Sequence, residues 1–478
     1  MLIFKMRKMN KIIKIGLLSV SLIGATVSCS EDFVEREFYQ DVEQAPLKTI
    51  NEVQAFVRGI YTSMRATAYY GADFLAYGEV RSDEMYSTLQ GGYYQNVYNY
   101  SMLSNDSYAS GTYNQIYTAV AKANIVINTD METLEGAASN KVAGKYAQGQ
   151  AYGLRGILFF DALRLYGQKY TGSSSKSLGI VLPLKYDPKA LMPRATIAET
   201  EAQIEADFEK GLQLMLANGS TDTKTKTELN INSLKGMMSR YYLYKGDYAK
   251  VRSLTKDLIG KYTVASPDLL QASFSFVMNG AAPNSIFELA VGTNSSLSTG
   301  SYRQRLSPVG YANIVVNSST YNSYTDNDIR KKLIITSGGI HYLSYFETST
   351  NVAYGKYTNV VGADNIRMLR YEEILLNGVE AELNGGSALD ALGYYNQVIT
   401  NRGLAPVTTV DMSMLKLERK KELLGEGLRQ WDLRRWGDTV PRPASANPDD
   451  AFNAFPIPRA ETDIANTPVV GNPGYDNY

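Results

Sequence analysis

The stretch Glu418–Asp438, ERKKELLGEGLRQWDLRRWGD, decides the fold. Leu417, Leu424, Leu428 and Trp431 recur at helical spacing and make one apolar stripe. Glu422, Glu426 and Arg429 stand three or four residues apart, as do Asp432 and Arg435, so opposite charges can satisfy one another along a helix. The spacing predicts a packed helix from about Leu415 to Trp436, with a charged network and no ligand. Gly425-Glu426-Gly427 opens like a dinucleotide fingerprint. Gln430 stands where the third Gly belongs, and the run lies inside a helical pattern, so it is not read as a nucleotide site.

Working outward, helical periods recur along the chain. Ile50–Arg65 places Val53, Phe56, Val57, Ile60 and Met64 at steps of three and four. Tyr113–Asp130 and Val142–Tyr166 are helical, and Thr196 with Glu199 forms a capping box ahead of a helix to about Leu216. Ile231–Tyr244 and Tyr248–Ile259 flank Gly246-Asp247, and Leu369–Leu383 and Ala388–Thr400 flank Gly385-Gly386, as in αα-hairpins. Residues 66–111 lose the helical period and are rich in Tyr, Gly, Ser and Asn. Residues 262–366 read as loops with a few short strands, among them Ser273–Met278, Ser285–Val291 and His341–Thr348. The tail from Asp438 is rich in Pro and Asn, and Phe452, Phe455 and Ile457 are expected to pack down.

Composition narrows the function. Among 478 residues there are 48 Lys+Arg and 48 Asp+Glu, so the basic footprint of a nucleic-acid binder is missing. One Cys excludes a disulfide framework and multi-Cys metal sites, and one His excludes His-rich ones. No G-x-S-x-G, P-loop or H-E-x-x-H occurs. His341 reads as structural. Asp326 and Asp328 lack the rest of an EF-hand loop, which leaves open only a structural calcium ion held by Asp and carbonyl groups. No other cofactor is expected. The 36 Tyr against 14 Phe and 2 Trp suggest aromatics kept half-wet, as on a binding surface.

The start of the chain reads as an address. Residues 1–28 carry Lys5, Arg7, Lys8, Lys11 and Lys14, no acid, and an apolar run too short to span a bilayer, the pattern of a secretory signal peptide. Thr26-Val27-Ser28-Cys29 resembles the lipobox of a bacterial lipoprotein, which implies lipidation of Cys29. Ser30-Glu31-Asp32 resembles the export signal of Bacteroidetes surface lipoproteins. Residues 29–48 read as a lipidated tether.

The string at 418–438 resembles the signature of the SusD/RagB family of Bacteroidetes outer-membrane lipoproteins. Arg419, Glu422, Leu423, Glu426, Gly427, Arg429, Asp432, Leu433, Arg435, Trp436 and Gly437 fill its pattern. Also similar are YNQIYTAVAKAN (113–124), RGILFFDALRLYG (155–167), YLYKGDYAKV (242–251), RYEEILLNGVEAEL (370–383) and FPIPRAETDIANTPVVGNPGY (455–475). The resemblance implies a mainly α fold. About four tetratricopeptide-like helix pairs form a superhelical scaffold, and irregular loops and a few short strands lie on it. Residues 49–478 then make a single domain with loop-rich insertions at about 66–111 and 262–366. It also implies a cell-surface, lipid-anchored, non-enzymatic protein of the outer membrane. Such a protein captures a glycan for a SusC-like TonB-dependent transporter or, as RagB-like members do, an oligopeptide.

The signature is scaffold in this family and takes up both Trp, so a sugar site must use Tyr or Phe, or the ligand is something else. Ten Tyr fall within residues 69–113. A sugar's C–H face can lie on a Tyr ring while its hydroxyls pair with Asp, Arg or Asn. The candidate ligand residues are Tyr70, Asp73, Arg81, Tyr93, Tyr94 and Tyr98, with Asp83 and Asn96 as further polar partners. A second group, Tyr302, Tyr311, Tyr321, Tyr324, Tyr342 and Tyr345, is expected to face either ligand or transporter.

Overall fold

The computed structural model describes residues 46–168, 177–219 and 225–478. The signal segment, Cys29 and most of the tether lie outside the described residues. Helices of eight residues or more are numbered in chain order: α1 Ile50–Met64, α2 Asp73–Val80, α3 Ser107–Ile127, α4 Ala138–Tyr166, α5 Ile197–Asn218, α6 Ile231–Lys245, α7 Tyr248–Lys256, α8 Tyr371–Leu383, α9 Ala388–Thr400, α10 Met412–Glu422 and α11 Arg429–Trp436.

Local chemistry sets most of their ends. Thr49 and Glu52 close a capping box on α1, and Thr196 and Glu199 close one on α5. Asp106, Asp247 and Ser387 cap α3, α7 and α9. Gly246, at φ +72°, ends α6 in the left-handed conformation and turns the chain into α7. The helices stack in series: α1 packs on α3, α3 on α4, α4 on α5, α6 on α7, α7 on α8 and α8 on α9. Between α4 and α5 the backbones themselves approach. A Cβ on Gly211 would stand 2.8 Å from Gly149 O and 2.8 Å from Gly153 N, so only glycine fits. The last four turns or so of α4, Gly153–Tyr166, are buried all round, as befits a helix at the centre of the core.

Short strands lie on this scaffold. β1 (Met85–Ser87), β5 (Ile314–Val316), β7 (Ile340–Tyr342) and β6 (Ile335–Ser337) form one antiparallel sheet in the order β1-β5-β7-β6. β2 (Leu178–Val181) pairs with β3 (Arg194–Thr196), β4 (Ser285–Leu289) with β10 (Ile366–Arg370), and β8 (Ser344–Glu347) with β9 (Val352–Gly355). The fold is thus the mainly helical scaffold with loops and short strands that the sequence implied. The tail packs down through Phe455 and Ile457, both buried, and Phe455 N donates to Leu165 O at 2.7 Å.

Three expectations need correction. Ser273–Met278 is no strand but part of two 3-10 turns, Ala272–Phe274 and Phe276–Met278. Val277 is 77% exposed and has no neighbouring strand to pair with. Residues 66–111 are not loop throughout. They hold a π-type turn at Thr67–Gly71, helix α2 and the short turns Gln90–Gly92 and Gln95–Tyr98, each too brief to set up a helical period.

The third correction concerns the signature itself. It is two helices rather than one. α10 ends at Glu422 and α11 begins at Arg429 because Gly425 and Gly427 take φ +77° and +75°. The crossing there is backbone to backbone. A Cβ on Gly427 would lie 2.7 Å from Leu75 Cα, and one on Gly78 would lie 2.1 Å from Gly427 O. The broken helix also breaks the stripe, so Leu417 is 46% exposed while Leu424 and Trp431 are buried.

The charges of this region pair between elements more than along a helix. Glu422 accepts from Arg330 Nη1 at 2.8 Å, Arg370 Nη1 at 2.6 Å and Arg402 Nε at 2.9 Å. Glu426 accepts from Arg370 and from Lys356 Nζ at 2.7 Å, and Arg429 pairs with Asp83. Of the pairings expected within the helix, Asp432 with Arg435 forms, at 2.9 Å. Burial alone would raise the Glu422 carboxyl, but Arg402 and Arg370 outweigh it and hold it well below the usual carboxylate range.

Candidate ligand-binding surface

The Tyr-rich segment leaves α1 and runs into α2, and four of its six candidate residues point inward. Tyr69 and Tyr70 both donate through their hydroxyls to Asp161 on α4, Tyr70 at 2.7 Å, and both are buried. Asp73, in the first turn of α2, accepts from the Tyr94 hydroxyl at 2.7 Å. Burial pushes the Asp73 carboxyl up to about 6, against the downward pull of Tyr94 and Arg305. Tyr94 itself is fully buried and stacks on Tyr108 at 5.0 Å.

Arg81, just past the end of α2, has no exposed surface. Its Nε donates to Val97 O at 2.9 Å and its Nη1 to Phe452 O at 3.2 Å and Asn453 O at 3.3 Å. Its guanidinium also lies over the rings of Tyr100 and Phe455. The ligand roles expected for Asp73, Arg81 and Tyr94 are therefore corrected, while Tyr70 is off the surface and lines an inner cavity instead. These side chains knit the segment to α4 and to the tail. Asp83 likewise accepts from Arg429 and Lys420.

Tyr93 and Tyr98 are half-buried and keep open ring surface. Tyr93 borders a groove of about 570 Å³ lined also by Gly91, Gly92, Asn96, Leu103, Asp106 and Tyr108. The segment around the groove bends sharply: Leu89, Tyr94 and Tyr100 hold φ of +64°, +57° and +52°. Non-glycine residues in that region cost about 1 kcal/mol or more each, and such strain gathers where a surface is shaped for binding. Neighbouring bonds hold the shape. Tyr94 N donates to the Tyr108 hydroxyl at 3.0 Å, Ser87 Oγ to Tyr93 O at 3.2 Å, and Asn96 Nδ2 to Asp106 Oδ2 at 2.9 Å.

An aromatic wall continues from the groove. Tyr93 meets Tyr311 at 4.9 Å, and the Arg305 guanidinium lies 4.2 Å and 4.9 Å from the two ring centres. On the four-stranded sheet, Tyr86 opposes Val315 across β1 and β5. Val315, Tyr342 and Ala312 form a small cluster capped by half-buried Tyr86, Ile340 and Tyr345, separate from the main core. The outer face of this sheet is thus half-wet tyrosine, while Met85, Ile314 and Val316 face inward. Of the second Tyr group, Tyr311 and Tyr345 keep exposed ring area, whereas Tyr302 and Tyr324 are buried. Tyr321 stacks on His341 at 4.1 Å, and the His341 ring nitrogen Nδ1 shares a hydrogen bond with Thr336 Oγ1.

Arg305 and Asp106 lie outside the residues expected from sequence, and Tyr108 is expected only as one of the ten Tyr of 69–113. Nothing local marks Arg305, which reaches Tyr93 from more than 200 residues away. Chemically, the surface offers flat rings beside amide, hydroxyl and carboxylate groups, which suits C–H faces and hydroxyls presented together. Among the described residues, no three His, Cys, Asp or Glu side chains gather as a metal site. Asp328 pairs with Arg330, and Asp326 with Lys331. No described helix is long and apolar enough to cross a membrane.

A family model described as "Starch-binding associating with outer membrane" matches residues 32–243, and a model of the SusD family matches residues 300–462. A SusD superfamily protein from Bacteroides vulgatus ATCC 8482 superposes with a TM-score of 0.78 at 25% identity, covering 90% of this chain and 100% of that one. A SusD superfamily protein from Bacteroides thetaiotaomicron VPI-5482 gives 0.77 at 23% identity, covering 89% and 100%. The surface glycan-binding protein A from Bacteroides thetaiotaomicron, in complex with laminarihexaose, gives 0.71 at 17% identity, covering 89% and 100%. No curated protein matches the sequence.

Proposed function

The chain belongs to the SusD family, and on that premise we propose that it is a cell-surface glycan-binding lipoprotein. It captures oligosaccharide and passes it to a SusC-like TonB-dependent transporter of the outer membrane. The observation that carries the reading is the half-wet pair Tyr93 and Tyr311 beside a polar groove, with Tyr98 and Tyr86 half-buried in the same segment of chain as Tyr93. Rings stack on the C–H faces of sugars, and Asn96 and Asp106 offer a donor and acceptors to hydroxyls. A laminarihexaose complex of a protein with the same fold supports a carbohydrate ligand. Lipidation at Cys29 supplies the membrane anchor, and the mechanism is capture and release without bond cleavage or cofactor.

Oligopeptide binding is the alternative, favoured by the groove itself. Ser101, Asn105 and Ser107 line it with Asn96 and could pair with a peptide backbone. The test is a binding screen of the mature chain, residues 29–478, against arrayed glycans and a tryptic peptide pool. The expected result is a glycan hit that Tyr93→Ala weakens by about tenfold, the scale of a lost aromatic stack. Peptide hits without glycan hits would replace the reading with the alternative. Unchanged affinity in Tyr93→Ala and Tyr98→Ala would displace the site.

A further inference from the structure

A second cavity lies beneath the loops that cover the start of α2. Residues 293–301 and 359–364 close over it, held by Leu297 N donating to Gly362 O at 3.1 Å. Its volume is about 60 Å³. The wall is mostly apolar, with the rings of Phe274, Tyr302 and Tyr357 and the side chains of Leu297 and Ile366. Four charged residues also line it, Arg303, Asp364, Arg367 and Glu426. Arg303 is 95% buried, and it attracts half-buried Asp364, which also accepts from the backbone of Asn359 and Phe276; still, Arg303 Nε and Nη2 and Asp364 Oδ1 make no hydrogen bond in the protein. Unpaired donors at the depth of Arg303 cost about 1–3 kcal/mol each and call for a matching acceptor. The other charges on the wall are matched: Arg367 pairs with Glu288 at 3.0 Å, and Glu426 with Arg370 and Lys356.

We propose that this cavity seats the acetamido group of an N-acetylated sugar, which deepens the glycan reading and rests on it. The carbonyl oxygen accepts from Arg303, the N–H donates to Asp364 Oδ1, and the methyl lies against Leu297 and Ile366. Charge selects a neutral group. A carboxylate would meet Asp364 and Glu426, and an ammonium would meet Arg303 and Arg367. Size selects a small one. An apolar cavity of about 150 Å³ takes the six non-hydrogen atoms of benzene, so 60 Å³ takes about two or three, which suits the methyl and carbonyl of the acetyl group with the amide nitrogen at the mouth. The pyranose ring therefore stays outside. Arg303 and Arg305 leave the same short turn, Tyr302–Leu306, so the cavity and the Tyr93–Tyr311 wall flank one element.

The test is saturation-transfer NMR on the mature protein with N-acetylglucosamine and N-acetylgalactosamine, run beside a panel of oligosaccharides without acetamido groups. The acetyl methyl is expected to take the strongest saturation. That signal should fall at least tenfold in Arg303→Met, which removes the donors, and in Leu297→Phe, which fills the cavity, both checked for an unchanged Tm. Absence of methyl saturation, or its survival in both variants, overturns the proposal. Binding of acetamido-free glycans alone overturns it and leaves the glycan reading standing. Silence from every sugar overturns both.

Discussion

Replacing Asp73 by Asn should make the protein more stable at neutral pH, and the gain should vanish in acid. Asp73 is 8% exposed and accepts one hydrogen bond, from Tyr94, while burial raises its carboxyl from an ordinary 3.8 to about 6. A carboxyl raised on folding binds its proton more tightly in the native state than in the unfolded chain. Its unfavourable contribution is therefore absent below about pH 4, grows between pH 4 and 6, and is complete above 6. A rise of roughly two pKa units corresponds to about 3 kcal/mol. Asn keeps the shape and an Oδ1 that accepts from Tyr94, but its amide donors need partners, which can offset about 1 kcal/mol or more at every pH. The pH-dependent difference is thus the clean quantity. Urea unfolding of wild type and Asp73→Asn at pH 4, 5, 6 and 8 should show the variant gaining about 2–3 kcal/mol relative to wild type between pH 4 and 8. A difference that stays flat, or that shrinks as pH rises, would refute the assigned burial effect.

Other perturbations probe other links. Glu422→Gln removes the charge that Arg330, Arg370 and Arg402 share, and should cost about 3–5 kcal/mol in chemical unfolding, with a correspondingly lower Tm. Gly427→Ala puts a Cβ 2.7 Å from Leu75 Cα at φ +75°; a loss of more than about 2 kcal/mol is expected, and a value within 0.5 kcal/mol of wild type would contradict the backbone crossing. Cys29→Ala should leave the protein unlipidated and absent from the outer-membrane fraction, as read by fractionation and mass spectrometry; a variant that stays membrane-bound would sink the anchor assignment.

Much of the scaffold was legible because its signals are local. Thr196 and Glu199 sit three residues apart and form the box they spell. Gly246-Asp247 and Gly385-Gly386 divide hairpins whose helices fall within a few residues of the expected bounds. The break at 423–428 was not legible, although both glycines stood in view. What crowds Gly427 is α2, some 350 residues away, and what crowds Gly425 is Leu343, about 80 residues away; nothing near either glycine encodes those contacts. The Tyr cluster failed in the same way. Density along the chain said nothing of depth, because Asp161, which buries Tyr70, lies 91 residues on, and Phe452 and Asn453, which take Arg81, lie more than 370 residues on. Tyr93 stayed half-buried even though Arg305 and Tyr311 reach its ring from more than 200 residues on, and Tyr98 stayed half-buried as well.

The grip of Arg81 on Phe452 and Asn453 has a consequence in time. Its partners are made 371 residues later, and at about 5–20 residues per second the ribosome needs about 20–75 s to reach them. Throughout that interval the local bonds of the groove, Tyr94 N to Tyr108, Ser87 to Tyr93 and Asn96 to Asp106, have their partners, but Arg81 lacks the tail carbonyls it donates to. A chain stopped short of the last few dozen residues therefore keeps the bends of the groove and loses the anchor beneath them. The tail is the last piece of that anchor to be made.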